Sequence, residues 1–214
     1  MTITRFGTGS GKQSFVNQSS KTISYSFTAG KHAVLAGSIY GTTITVSDSS
    51  STSWTVQKIT DGGPNSAFIA YRENMPSGVT SVTVTSDILA YGAVWVDEWD
   101  GVATSSSQDG SPVTAVNNTT PVNSLGTGNL TTSDPNCLVY GVGSADDNST
   151  TAWNTVLTSP TWTEIGQEAD TTASHAAQVI YIVASGSTGP FSRTFSYPPG
   201  NAQMCTILAA FKPA

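Results

Sequence analysis

The sequence predicts an all-β protein, a jelly-roll-like β-sandwich built from two duplicated strand sets, and three observations carry that prediction. The first is a repeat. Trp54-Thr55, Ala67-Phe68-Ile69-Ala70-Tyr71, a Gly78-led strand and Val94-Trp95-Val96-Asp97-Glu98-Trp99 recur, in order, as Trp162-Thr163, Ala177-Gln178-Val179-Ile180-Tyr181, a Gly189-led strand and Cys205-Thr206-Ile207-Leu208-Ala209-Ala210-Phe211. Self-similarity of this kind decides architecture before any local feature does. The second is period: apolar residues alternate with Ser and Thr over short runs, and no stretch of helical length has a 3.6-residue period. The third is punctuation, with Gly, Pro, Asn and Asp clusters separating the runs at the spacing of a sandwich or barrel.

The elements follow in chain order. Residues 1–20 read as an arm, since Gly7, Gly9, Gly11 and a Ser/Gln/Asn run carry no hydrophobic period. Ile23, Tyr25 and Phe27 then alternate with Ser and Thr as a half-buried strand. Strands are expected over 32–39, 42–47, 53–58, 66–73, 79–86 and 90–99, with a hairpin from Thr43–Asp48 to Ser53–Val56. Residues 103–121 read as a long loop, which in a compact domain is commonly functional or a crossover. Further strands are expected over 122–130, 137–143, 151–157, 161–165, 175–184, 190–197 and 203–212. The repeats thus occupy about 31–102 and 135–213. They would form one sandwich with pseudo-twofold halves, the alternative being two small sandwiches in tandem.

Composition narrows the function classes. Only 10% of the 214 residues are charged, against about 25% in an average protein. The polar face is built from hydroxyls and amides, which suits an assembled or extracellular surface. A net charge of −6 with eight Lys plus Arg leaves no basic stripe to neutralise phosphates, which argues against nucleic acid. No apolar run is long enough for a spanning helix. The N-terminus lacks the apolar segment of a secretory leader, so the expectation is synthesis in a host cytoplasm and release by lysis.

Candidate sites are few. Val96-Asp97-Glu98-Trp99-Asp100 sets acids beside Trp, as in glycosidases that need paired carboxyls. The repeat aligns Glu98 with Ala210 and Trp99 with Phe211, so the segment is expected to be a strand end. His32 and His175 lack any nucleophile-elbow context, and no catalytic residue is assigned. Cys137 and Cys205 are expected as buried thiols, with a bridge left open. Trp54 and Trp162, equivalent in the two repeats, are expected in the core. Trp153, Tyr40 and Tyr197 lie beside turns and are the candidate stacking platforms for a glycan. Asp146-Asp147-Asn148 could offer oxygens to calcium but has no defined loop spacing. No metal and no cofactor is expected.

The run Thr43-Ile44-Thr45-Val46-Ser47-Asp48 to Trp54-Thr55, then Ile69-Ala70-Tyr71-Arg72-Glu73-Asn74, Ser77-Gly78, Thr80-Ser81-Val82-Thr83-Val84-Thr85 and Glu98-Trp99-Asp100-Gly101-Val102 resembles a β-sandwich module of tailed-phage structural proteins, also met in some bacterial surface proteins. The likeness covers residues 30–102 well and the second half in degenerate form. It implies a non-enzymatic virion part: a capsid decoration, fibre or tail adhesin, oligomeric on other capsid or tail subunits. The rivals are a carbohydrate-binding or receptor-binding module and, third, a β-sandwich glycoside hydrolase using Glu98 and Asp100.

Overall fold

The computed structural model describes residues 2–146, 153, 161–170, 175–197 and 202–214, and every regular element among them is a β-strand. The expected strand over 151–157 lies outside the described residues, apart from Trp153. The first half comprises β1 (Thr4–Phe6), β2 (Gln13–Ser24), β3 (His32–Tyr40), β4 (Ile44–Asp48), β5 (Thr55–Thr60), β6 (Asn65–Arg72) and β7 (Ser81–Asp100). They form one antiparallel sheet in the order β1-β7-β3-β6-β5, with β2 and β4 also paired to β7. The 20-residue β7 spans two layers: its start pairs with β4 and β2, its end with β3 and β1. Two slips in the β2–β7 register, around Gln18, supply the bulges that bend the ribbon. The sheet therefore folds over itself. Val82 and Val84 from one arm of β7 share a core with Val94 and Val96 from the other, closed by Leu35, Phe68 and Trp54.

The second half comprises β8 (Val113–Val122), β9 (Ser124–Gly126), β10 (Leu138–Asp146), β11 (Thr163–Asp170), β12 (His175–Val183), β13 (Thr194–Ser196) and β14 (Ala202–Phe211). Its five-stranded sheet runs β11-β12-β10-β14-β8, and β13 pairs with β9 in a two-stranded sheet. The order β5-β6-β3-β7 is thus repeated as β11-β12-β10-β14. Register repeats with it. Val34 sits between Tyr71 and Asp97, and Tyr140 sits between Tyr181 and Ala209. Glu98 stands where Ala210 stands, as the sequence alignment requires. What is continuous in the first half is broken in the second: β13 and β14 answer to β7, and β8 and β9 to β2.

Two expectations are corrected. Residues 1–20 are not a loose arm, since β1 and most of β2 lie within them. Residues 103–121 are not wholly loop, since β8 begins at Val113. Both strands hydrogen-bond to one neighbour on the large sheets, and much of each strand is exposed, so their composition is that of a solvated edge.

The two large sheets face each other across a third core. Val34, Ala36, Ile69, Tyr71, Trp95 and Trp99 from one half meet Leu138, Tyr140, Val142, Val179, Ile207 and Phe211 from the other. A Cβ on Gly166 would lie 2.3 Å from Trp95 Nε1, so the glycine at this bulge of β11 is what lets the indole dock. The fold is the expected all-β sandwich built from two duplicated strand sets: each repeat has its own core, and both share the middle one. The connecting segment is fastened at both ends. Glu73 accepts the backbone N–H groups of Ser106 (3.1 Å) and Ser107 (2.5 Å). Asp109, buried, accepts from Ser133 N (2.9 Å), Ser133 Oγ (2.6 Å) and Asp134 N (3.0 Å). Carboxylates that accept several such bonds are held ionised, and both fall below the usual range despite partial burial. Replacing Asp109 by Ala should lower unfolding free energy by about 2 kcal/mol, the order for a lost charged acceptor, read as a drop in urea midpoint at unchanged slope.

Candidate binding site

The three candidate stacking rings do not behave alike. Tyr40 is half-buried at the end of β3, packed against the first core. Burial pushes its hydroxyl pKa up, helped by the charges of Asp146 and Asp61. Trp153 (2% exposed) and Tyr197 (0%) are core residues of the second half, which corrects the expectation of open platforms. A position beside a turn does not fix the direction of a side chain, and both rings turn inward onto Phe195 and the five-stranded sheet. They do come together, with ring centroids 5.0 Å apart and Phe195 6.2 Å from Trp153. Trp54 and Trp162 are buried, as expected of core positions.

The acids around Glu98 are split by the alternation of β7. Glu98 (1% exposed) points into the first core, where its carboxylate accepts the Thr28 N–H at 2.6 Å. Desolvation raises its pKa against that bond. Asp100 lies at the exposed strand end, 2.9 Å from Lys31 Nζ and capped by Gly101 N. Asp97 points the other way, into the middle core. Arg5 donates to it through Nε (2.8 Å) and Nη2, Tyr140 donates to its other oxygen at 3.0 Å, and Trp99 Nε1 donates to the Tyr140 hydroxyl at 2.7 Å. Burial still outweighs these partners, so the Asp97 pKa is raised. The chain Arg5–Asp97–Tyr140–Trp99 ties the N-terminal strand to both halves.

A Ser–His contact exists but is sealed. His175 Nε2 lies 2.7 Å from Ser38 Oγ, which lies 2.5 Å from Ser144 Oγ; Asn65 Oδ1 accepts from Ser144 at 2.9 Å. Ser38 and Ser144 hold equivalent places in the two repeats, as do Asn65 and His175, so this cluster marks the pseudo-twofold axis. All four residues are fully buried. Cys137 and Cys205 are free, buried thiols on different cores, and burial pushes Cys205 up to about 12. Asp147 and Asn148 of the candidate calcium segment lie outside the described residues. A cleft of about 290 Å³ is lined by Thr52, Ser53, Thr55, Tyr71, Arg72 and Glu73. Its charges are committed elsewhere, Arg72 to Asp48 and Ser50, Glu73 to the connecting segment.

A further row of polar groups lies in the second half, in a band the sequence did not single out. Gln167, Gln178, Gly143 and Thr206 lie side by side across β11, β12, β10 and β14. A Cβ on Gly143 would lie 2.5 Å from the Phe195 ring, so that ring rests on the middle of the band. Gln167 accepts the Trp153 N–H at 2.8 Å, and Gln178 donates to Glu164 at 2.7 Å. Three buried polar atoms here have no hydrogen-bond partner among the described residues: Trp153 Nε1, Gln178 Oε1 and Thr206 Oγ1. Each such atom costs about 1–3 kcal/mol. The two rings and these polar side chains pack together inside the second half's core. Against this geometry, comparison of the chain with protein-family models, curated proteins and solved structures returns no match.

His32 offers a direct test of the burial described here. It lies in the middle core between Tyr71 (ring centroids 5.7 Å) and Phe211 (4.9 Å), and desolvation lowers its pKa to about 4, against the pull of Glu73 and the Ala103 backbone. Between pH 6.5 and 4 the unfolded chain binds a proton that the folded chain refuses, so stability falls with pH across that window. Leu138 holds the equivalent position, paired with Phe211 as His32 is with Trp99. Denaturant titrations of His32→Leu and the parent at pH 7 and pH 4 should show the variant gaining about 3 kcal/mol relative to the parent on acidification. The raised carboxyls Asp97 and Glu98 act with the opposite sign and cancel in the comparison. Parallel losses in both proteins would contradict a buried neutral imidazole.

Proposed function

We propose that this protein is a non-enzymatic structural component of a tailed-phage virion, a capsid-decoration or appendage subunit that assembles on other virion proteins. One observation carries the reading. The outer face of β2, β7 and β4 is a lattice of hydroxyls, with Ser20, Thr22 and Ser24 set in register beside Thr85, Thr83 and Ser81, and Thr45 and Ser47 on the far side. Thr22 and Thr83 hydroxyls lie 2.9 Å apart, and Ser20 and Thr85 hydroxyls 3.3 Å apart. Such a face can be covered by a neighbour without stripping charges of water, the costly part of burying an ordinary surface. The inner faces are already consumed by the middle core, so contact with other subunits falls to this lattice and to the open edges of β2, β4, β8 and β11. Quantitative mass spectrometry of purified particles should find the chain in a fixed, multiple-copy ratio to a capsid or tail protein. Trace amounts only, with the bulk in the soluble lysate, would overturn the reading.

A second reading is a glycan-binding or receptor-binding role; of the three rings that suggest it, Tyr40 is half-buried and Trp153 and Tyr197 lie in the core. It is compatible with the first, because an appendage subunit can also bind a surface sugar.

A further inference from the structure

The outer layer of the first half is more regular than the fold requires. The centre of its hydroxyl lattice is a row of Thr22, Thr83 and Ser47, one residue from each of β2, β7 and β4. A second row, Ser20, Thr85 and Thr45, lies two residues along. Ser24 and Ser81 begin a third, which Ser49 completes by donating its backbone N–H to the Ser81 carbonyl at 3.0 Å. All nine outward positions carry a hydroxyl, and none is buried. The charged residues Lys21 and Asp48 fall at alternate positions, which strand geometry turns to the opposite face, and Asp48 is paired with Arg72. The second half does without such a lattice. Among the described residues its outer layer is β9 and β13, three residues each, with Gly126 opposite Thr194.

The lattice ends in an apolar corner. Of the five large apolar side chains exposed among the described residues, three lie where the β2–β7 register slips: Val16 (61% exposed), Ile88 (41%) and Leu89 (59%). Val16 sits in the slip between Phe15 and Gln18, and Ile88 and Leu89 in the slip that follows Thr85. Asp87 beside them is engaged by the N–H groups of Thr42 (2.9 Å) and Thr43 (3.1 Å) and by the Thr42 hydroxyl (2.6 Å). An apolar patch bordered by neutral polar groups is the anatomy of a protein contact.

Charge selects the occupant. With a net charge of −6, two copies of this chain repel one another. Across this face no formal charge meets its like, and a hydroxyl both donates and accepts, so the lattice is its own complement. None of the nine positions is aromatic, which leaves nothing to stack on a sugar ring. We infer that the lattice and its apolar corner form a twofold contact with a second copy of the chain, with Thr83 at the axis facing itself. At ordinary strand spacings the nine positions cover roughly 300 Å², against about 800 Å² per partner in a stable complex. The pair is therefore weak in dilute solution, and an assembly that repeats it strengthens it by multivalency. This pairing rests on the virion reading and supplies the partner that covers the lattice.

The test is sedimentation velocity of the full chain from micromolar to near-millimolar concentration, at low and high salt. The parent should pass from monomer to dimer as concentration rises, with no weakening at high salt, because no ion pair is there to be screened. Thr83→Lys and Thr83→Glu should each stay monomeric at low salt, since at a twofold axis each new charge meets its own copy. Their equal mixture should restore the dimer, on the order of tenfold tighter than the parent, and should loosen as salt rises. Leu89→Ser should weaken the parent's association about tenfold, the scale of one large side chain returned to water. Being exposed, it also covers the case in which the Thr83 variants misfold. Thr114→Lys, exposed on β8 of the second half, should leave the association unchanged. A parent that stays monomeric throughout, a dimer that survives in both Thr83 variants, or a mixture of them that fails to pair would overturn the contact. A chain monomeric by itself yet present in fixed multiple copies on particles would remove this pairing and leave the virion reading standing.

Discussion

The structure depends on the burial of two sheet faces against each other. Each repeat presents its large sheet with one face already covered by its own outer strands, and the other face apolar. Left to itself, that second face would expose Trp95, Tyr71 and Ile69 in one repeat, or Tyr140, Val142 and Ile207 in the other. Burying a large apolar side chain is worth about 1.5–3 kcal/mol, so the middle core is the dominant reason that two repeats behave as one body. Several of the polar groups admitted to it are engaged with one another. Asp97 is surrounded by Arg5 and Tyr140, while Ser38, Ser144, Asn65 and His175 bond across the pseudo-twofold axis. These contacts fix the register of one sheet on the other, which apolar packing alone would leave loose.

Much of the fold was legible because it was written twice. The alignment of Glu98 with Ala210, made from letter order alone, is reproduced in the hydrogen-bond register, and Trp54 and Trp162 are core residues in both copies. Illegible were the strands whose burial is one-sided. Among the described residues of the first 20 only Ile3 and Phe15 are buried, and Val116 is exposed, so β2 and β8 carry the composition of loops. A sequence records what a side chain faces, and an edge strand mostly faces water. The division between one sandwich and two was likewise hidden, because a strand buried on both faces reads as a continuous apolar run whichever partner covers it.

The candidate site was half legible. Trp153 and Tyr197 were named as exposed rings and lie in the core; Gln178, Thr206 and Arg193 were not named at all. The signal was present in the mismatch between repeats, where Phe68 answers to Gln178, Val94 to Thr206 and Val82 to Arg193. A repeat read only for its likenesses discards the positions where the two copies differ.

The segment between Asp100 and Val113 has a consequence of its own. Two matching subunits held only by their inner faces would come apart on dilution, since their stability would vary with protomer concentration. A short tether makes the encounter intramolecular, with an effective concentration in the millimolar range for flexible linkers. Once joined, neither copy must remain complementary to itself. Asn65 and His175 differ at equivalent places while Ser38 and Ser144 agree, and it is the second copy that carries Gln178 and Thr206 where the first has Phe68 and Val94.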